Sequence, residues 1–533
     1  MRHRRTRAPP LSTSGSRKHW TCRSNDQDHR REGPGGAQAA LRTPAFSGAA
    51  DCAWRQGMSG PAPTPYDEIA YPSAIFSQTA PERLAVIARL TGLAPPPVST
   101  ARVLEIGAGD GMNLLSLAAA HPQARFEGFD LAPTAVARGE RWRALAGLDN
   151  AGLQVLDILE AHHRLEGPFD YIIAHGIYAW VPAEVRSATM ALIGRLLAPD
   201  GVAFLSYNAL PGGYLRQALR DALLLELGDL QGADRWRAAR AYLTTLSAEP
   251  EGGQNPAQAA LRDAAKHTLD KPWSVLCHDE LGPHFHPQSL ADVEATARAN
   301  GLQFLGDADR ERMNDAFLPD GIEAAGDPSA QLLRILGARD YQDFRFFRQT
   351  LLVRADRIPR RTIDHQALGQ LYAVTRCLRD EEGMFRINAN VFEVQDAPLA
   401  EALTRLVEQR PRRLRVSELV DTPARRIAMF EMFNAGLIDL YTEAEPYACE
   451  VGERPRASPL IRAMLAEGLE NICTLDHRLM TIQEFGPRHL LAHLDGTRDR
   501  TALVAVGQEA GLDTPEALDK GLRTLVSEGL ILA

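Results

Sequence analysis

The feature that most constrains this chain is a run at residues 103–111, Val-Leu-Glu-Ile-Gly-Ala-Gly-Asp-Gly, where an apolar strand pattern breaks into three alternating glycines and a helical pattern begins. Glycine lacks a Cβ, so it suits a sharp turn that brings backbone close to a ligand. Downstream the text alternates. Strand patterns at 125–130, 153–157, 169–175 and 202–207 are separated by helical patterns at 111–120, 133–147 and 183–197, with 199–201 read as a turn. Pro133 suits a first helical turn and Gly147 a C-terminal stop. Strands separated by helices call for parallel pairing and right-handed crossovers. Further strand patterns at 302–305 and 346–353, with a helix at 289–300, complete a seven-stranded doubly wound (Rossmann-like) α/β sheet; the alternative is a separate small α/β module.

The expected segments are 1–57, a disordered extension; 58–100, a lid; and 101–212, the ligand-binding core. A helical insertion and regulatory region follows at 213–287, then the rest of the sheet at 288–356. Two mainly helical, winged-helix-like C-terminal domains occupy 357–450 and 451–533, with a strand pattern at 385–394. Eleven Lys/Arg against four acids make residues 1–57 net +7, leaving −16 for the remainder of a chain at −9. That stretch reads either as a transit peptide or as sequence upstream of a start at Met58. No global positive charge favours nucleic acid, and neither candidate recognition helix is strongly basic. No run approaches the ~20 apolar residues of a membrane span. Six cysteines without CxxC spacing suit reduced thiols in a cytoplasm, and no metal set is expected.

In a doubly wound sheet, ligands bind outside the carboxyl ends of the strands. The GxGxG spacing departs from the dinucleotide GxGxxG, since Met112 stands where the last glycine would fall. With Glu105 two residues before Gly107, it resembles the S-adenosylmethionine (SAM) loop of class I methyltransferases. Asp130, ending the second strand, is placed to accept ribose hydroxyls, or else to cap a helix. Asp157, ending the third, is placed for the adenine or, equally, as a cap. The candidate SAM-binding set is Glu105, Gly107, Ala108, Gly109, Gly111, Asn113, Asp130, Leu131, Asp157 and Ile158.

The reacting end is expected in His175-Gly176-Ile177-Tyr178-Ala179-Trp180-Val181-Pro182. Tyr178 and Trp180 are candidates for an aromatic wall around an ammonium, or for packing. His175 is a candidate ligand contact or base, or a structural histidine. The [DN]-P-P-[YF] motif of base-methylating enzymes is absent, which argues against a base-flipping DNA enzyme. His278-Asp279-Glu280, with His284 and His286, reads as a structural corner of the insertion, a metal or acid–base cluster being the alternative.

Tyr66-Asp67-Glu68-Ile69-Ala70-Tyr71-Pro72-Ser73, Gln78-Thr79-Ala80-Pro81-Glu82-Arg83-Leu84, Phe347-Arg348-Gln349-Thr350-Leu351-Leu352 and Leu494-Asp495-Gly496-Thr497-Arg498-Asp499 join the 175–182 and 278–281 runs in a wider pattern. Over about 66–533 the chain resembles bacterial methyltransferases with a methyltransferase regulatory domain, a group that includes rickettsial protein lysine methyltransferases acting on outer-membrane proteins. Ala80 stands where that pattern expects His, and Ala108 where Cys is common. The resemblance implies SAM as cosubstrate and a protein lysine as acceptor. The 66–84 stretch is either a lid, with Tyr66 and Tyr71 near the site, or a packing segment. Two alternatives stand beside this: a small-molecule methyltransferase whose C-terminal domains form a dimer surface or cover, and a SAM-binding regulator without turnover.

Overall fold

Seven strands form one mixed sheet in the computed structural model, which describes residues 20–21, 64–249, 255–319, 321–322 and 326–533. The strands are β1 (Arg102–Ile106), β2 (Arg125–Asp130), β3 (Ala151–Val155), β4 (Phe169–Ala174), β5 (Leu197–Asn208), β6 (Leu302–Asp307) and β7 (Phe347–Arg354). Their order is β3-β2-β1-β4-β5-β7-β6. The first five pair in parallel, while β7 runs antiparallel to both neighbours. The expected sheet therefore forms, with both late strands in it.

Alternate residues of each strand feed opposite faces. Val103, Tyr171, Ile173, Val202 and Phe204 join one apolar cluster, and Leu104, Ile172, Ala174, Ala203 and Leu205 the other. This two-sided burial explains the near-continuous apolar strand sequences. At 197–208 the structure departs from the expected turn and short strand. Leu197 pairs with Phe169 and Val202 with Tyr171, so residues 198–201 bulge out of an otherwise continuous strand.

Helix α1 (Pro81–Leu90) precedes β1 and is buried almost all round at Leu84, Ala85, Val86, Ile87, Ala88 and Leu90. Helices α2 (Met112–Ala120) and α3 (Pro133–Ala146) share its face. Helices α4 (Ile158–Arg164), α5 (Ala183–Leu196) and, after the insertion, Leu290–Ala299 cover the other. The insertion comprises α6 (Gly212–Leu227), α7 (Gly232–Ser247), α8 (Pro256–Leu269) and α9 (Trp273–Asp279), with its own core around Leu219, Leu223, Leu243 and Leu276.

The C-terminal region packs on the α1–α2–α3 face rather than standing apart. Its three-stranded sheet places Tyr372–Thr375 between Leu414–Arg415 and Ile438–Tyr441. The final portion carries helix Pro459–Ala466, the hairpin Asn471–Cys473/Leu479–Thr481 and helices Phe485–His493, Leu503–Glu509 and Pro515–Ser527. Ser99 bonds Glu443, and His477 lies 3.2 Å from Ser116 on α2. The expected strand at 385–394 is a hairpin of Phe385–Ile387 and Asn390–Val394, because Asn388 takes φ 51° and turns the chain. Residues 20–21 pair with that hairpin; the expectations for the rest of 1–57 and for Met58 lie outside the described residues.

The Phe347–Leu352 run owes its arginine to a buried ion network. Arg348, fully buried, donates to both Asp340 oxygens at 2.8 and 2.7 Å and to Asp307 at 3.3 Å. Removing one member leaves buried charge uncompensated. Arg348→Met should therefore destabilise the fold by about 3–5 kcal/mol, checked by urea denaturation; a change well under that range would contradict the role.

Candidate active site

The crevice lies at the carboxyl ends of β1, β2 and β4, where the glycine turn leaves β1 for α2. Gly107, Gly109 and Gly111 all take positive φ (69°, 57° and 69°), a region costly for other residues. They differ in what they face. A Cβ on Gly107 would sit 2.6 Å from Ile177 Cγ2, and one on Gly111 would sit 2.4 Å from Leu153 Cδ1. A Cβ on Gly109 would meet nothing within 4 Å. Two glycines thus permit packing, while the middle one opens onto the crevice. The Ala108 N–H donates to the Phe129 carbonyl at 2.9 Å and the Gly111 N–H to the Ala108 carbonyl at 2.8 Å, fixing the turn against β2.

Asp130 secures the same turn from β2. Its Oδ2 accepts from the Gly109 N–H at 2.8 Å and its Oδ1 from the Ala132 N–H at 2.9 Å. Burial pushes its pKa up, and the backbone N–H donors oppose that rise. Each carboxylate oxygen keeps further lone-pair capacity for a ligand hydroxyl. Leu131 beside it is exposed.

Glu105 is buried on β1. Its Oε1 accepts from Asn113 Nδ2 at 2.9 Å, and its Oε2 has no partner. Burial raises its pKa to about 8, with Asn113 opposing and the charges of Asp110 and Asp130 adding to the rise. An ammonium ligand would satisfy this orphaned oxygen by favouring the ionised carboxylate, which accepts where the neutral acid does not.

Asn113 also ties the turn to the segment before α1. Its Nδ2 donates to Thr79 Oγ1 at 3.0 Å, and its Oδ1 accepts from the Phe76 N–H at 2.9 Å. Ser73 hydrogen-bonds Asp110, which Arg138 also holds at 2.8 Å. Asp67 accepts from the Thr134 N–H at 3.0 Å, at the start of α3. Residues 67–79 therefore run along the carboxyl ends of the strands as a cover on the glycine turn, and α1 behind them packs in the core. Tyr71 lies elsewhere, its hydroxyl 3.4 Å from Asp279 of the insertion; the side chain of Tyr66 lies outside the described residues.

At the reacting end His175 is stacked on Phe76, 3.9 Å between ring centroids, with Phe204 at 5.8 Å on the sheet side. Burial lowers its pKa to about 4, so the ring is neutral near pH 7. Gln78 Nε2 lies 3.5 Å from His175 Nε2. Tyr178 and Trp180 are not brought together with it. Tyr178 is buried beside Tyr207, 6.4 Å away, and Trp180 lies 4.9 Å from Phe285 with Arg216 over its face at 4.7 Å. Asp157 caps α4, accepting from the Leu159 N–H at 2.9 Å, and Ile158 packs in the cluster under that helix. Asp279 and Glu280 pair with Arg216 and Lys271, and His278 lies 2.6 Å from the Ile69 carbonyl oxygen. No metal-holding group of His, Cys, Asp or Glu occurs among the described residues.

Ser73, Phe76, Gln78 and Arg138 are the site neighbours that local sequence does not single out. Three of them fall in or beside the 66–84 motif, but nothing in that motif says which side chains reach a turn some thirty residues on.

The sheet and its glycine turn define the methyltransferase class. Residues 104–203 match the methyltransferase domain, 273–354 a predicted methyltransferase regulatory domain, and 453–510 the PKMT C-terminal winged helix domain. The regulatory match thus covers β6 and β7 as well as the end of the insertion. Protein RP028 of Rickettsia prowazekii, uncharacterized, is 35% identical over 218 residues, 41% of this chain and 87% of that one. Protein RP789 of the same organism is 30% identical over 300 residues, covering 55% of this chain and 53% of that one. The structure of PKMT2 from Rickettsia typhi superposes with TM-score 0.72 at 22% identity, covering 87% of this chain and all of that one. The chain belongs to the family of bacterial methyltransferases that carry a regulatory domain. No described helix is long and apolar enough to cross a membrane.

Folding takes up a proton at Glu105 between its ordinary 4.5 and about 8. Its contribution to stability is thus present below pH 4.5 and lost as pH rises through 8. Glu105→Gln keeps the acceptor for Asn113 and removes this linkage. It should gain stability relative to the parent as pH rises from 5 to 8, read from denaturant midpoints. A difference independent of pH would show that the carboxyl is not held protonated.

Proposed function

We propose that this chain binds SAM in the β1–β2 crevice and transfers its methyl group to a protein lysine. The observation that carries the reading is Gly109, whose missing Cβ faces open space while its N–H is held by the Asp130 carboxylate. Support comes from PKMT2 of Rickettsia typhi, which shares the fold and has also been solved in complex with AdoHcy.

SAM supplies a sulfonium-activated methyl group. The residues of this chain then have to hold the donor, exclude water and align a nucleophile. Asp130 is assigned to the ribose hydroxyls and the 107–111 turn to the amino-acid half, with the unpaired oxygen of Glu105 directed at its ammonium. Phe76, stacked on His175, keeps water from the reacting end. A free lysine has a pKa of ~10.4 and must lose its proton before attack; an apolar approach favours the neutral amine. His175, neutral and weakly basic, serves as a wall of that approach rather than as the base.

The acceptor would arrive beside the start of β7. Because β7 is antiparallel, its first residue, Phe347, pairs with Asn208 at the carboxyl end of β5 and so lies at the crevice. The Phe347 ring is 6.4 Å from His175. Phe344, Phe346 and Phe347 are exposed there, and Tyr214 is exposed on the first turn of α6. An open aromatic mouth suits a side chain presented by a protein better than a buried metabolite.

Asp130→Ala should weaken AdoHcy binding by about 1–3 kcal/mol, since ribose hydroxyls lose their acceptor. Gly109→Val should abolish it, because a branched side chain enters the ligand space. Calorimetry checks both, and unchanged affinity in the pair removes the site assignment. Incubation with labelled SAM and bacterial lysate, followed by mass spectrometry, should place methyl groups on lysines. Label confined to small metabolites would overturn the protein acceptor.

A further inference from the structure

Behind the cover, where α1 and the turn Ser77–Thr79 meet the C-terminal region, two adjoining cavities of about 80 and 300 Å³ share Arg310, Arg376 and Asp439. Arg83 and Arg478 also line the smaller one, and Arg386 the larger. Five arginines thus face three carboxylates, and those carboxylates are already engaged. Asp439 pairs with Arg310 and, at 3.6 Å, with Arg376. Asp476 pairs with Arg376 at 2.7 Å and with Arg478 at 2.8 Å. Glu82 turns away to His121 at 3.0 Å.

Arg83, half-buried in the wall of the smaller cavity, is left over. Among the described residues it has no ion pair and no hydrogen bond through its guanidinium, and only the more distant charges of Asp439 and Asp309 favour it. Burial, and then the like charge of Arg310, pull its pKa below the usual value. Buried Arg345 and Arg348 are compensated by Asp307 and Asp340, and Arg216 by Asp279 and Glu280, while buried Arg220 and Arg361 bond backbone carbonyls; Arg83 has neither kind of partner and lines a cavity. A guanidinium with no ion pair in a cavity wall keeps its donors available to a bound anion. Guanidinium forks match phosphate oxygens in bidentate fashion. The larger cavity adds an apolar wall of Leu378, Ile387, Leu437 and Ile438.

We propose that this paired cavity is a binding site for a phosphate group, with the dianion between Arg83, Arg310 and Arg376 and any organic portion against the apolar wall. Phosphate binding at this cavity does not depend on methyl transfer in the crevice.

The test uses the full chain, with inorganic phosphate and glycerol 3-phosphate as probes against chloride at matched ionic strength. Thermal shift and calorimetry should show saturable binding of both. Tighter binding of the monoester would favour an organic phosphate, and equal binding would favour free phosphate; either supports a phosphate site. Arg83→Gln removes only the unpaired charge. It should melt at the same or a higher temperature in chloride and lose phosphate affinity about tenfold or more, as expected for one charge-assisted pair. The proposal falls if phosphate acts no differently from chloride, or if the variant binds it equally well. Binding of a glutamate-rich peptide with none of phosphate would overturn it in favour of an acidic partner.

Discussion

The bond between the Asp130 carboxylate and the Gly109 N–H is the contact on which the crevice depends. It joins the tip of β2 to the apex of the turn that leaves its neighbour β1, extending the pairing of the two strands past their ends. The same carboxylate bonds the Ala132 N–H at the start of α3. One half-buried acid therefore sets the spacing of turn, strand end and helix start. Its own donors come from backbone, which leaves further lone pairs on both oxygens.

A second layer grows from Asn113. Its amide links Glu105 on β1, Thr79 and the Phe76 N–H. The cover of the crevice is thus bonded to the turn it covers. Through α1 it is also continuous with the C-terminal domains, because α1 is buried between the sheet and those domains. Binding in the crevice, the position of the cover and the packing of the C-terminal region share one set of contacts. That continuity gives the C-terminal domains a physical connection to the site.

Much of this was legible in the residues, for identifiable reasons. The sheet could be read because its strands are buried on both faces and separated by helices of regular period. The glycine turn and Asp130 could be read because each ends a strand, where a doubly wound fold puts its ligands. The 197–201 bulge could not, since Pro199-Asp200-Gly201 has the composition of a turn and only pairing with Phe169 extends the strand through it. Tyr178 and Trp180 stand beside the reacting loop in sequence, yet Tyr178 enters the core and Trp180 takes two arginines of α6 on its face. Their neighbours come from residues 207–220 and 285, which local spacing cannot specify.

Sequence alone determined the order of strands and helices, the residues able to adopt positive φ, and the acids at or next to the ends of β1 and β2. These follow from backbone sterics and from the period of apolar residues, both local properties. Tertiary structure decided which glycine of the turn faces open space, which side chains lie against the turn, and that Arg83 has no ion pair. Each of those outcomes depends on distances between elements tens to hundreds of residues apart, which only packing sets.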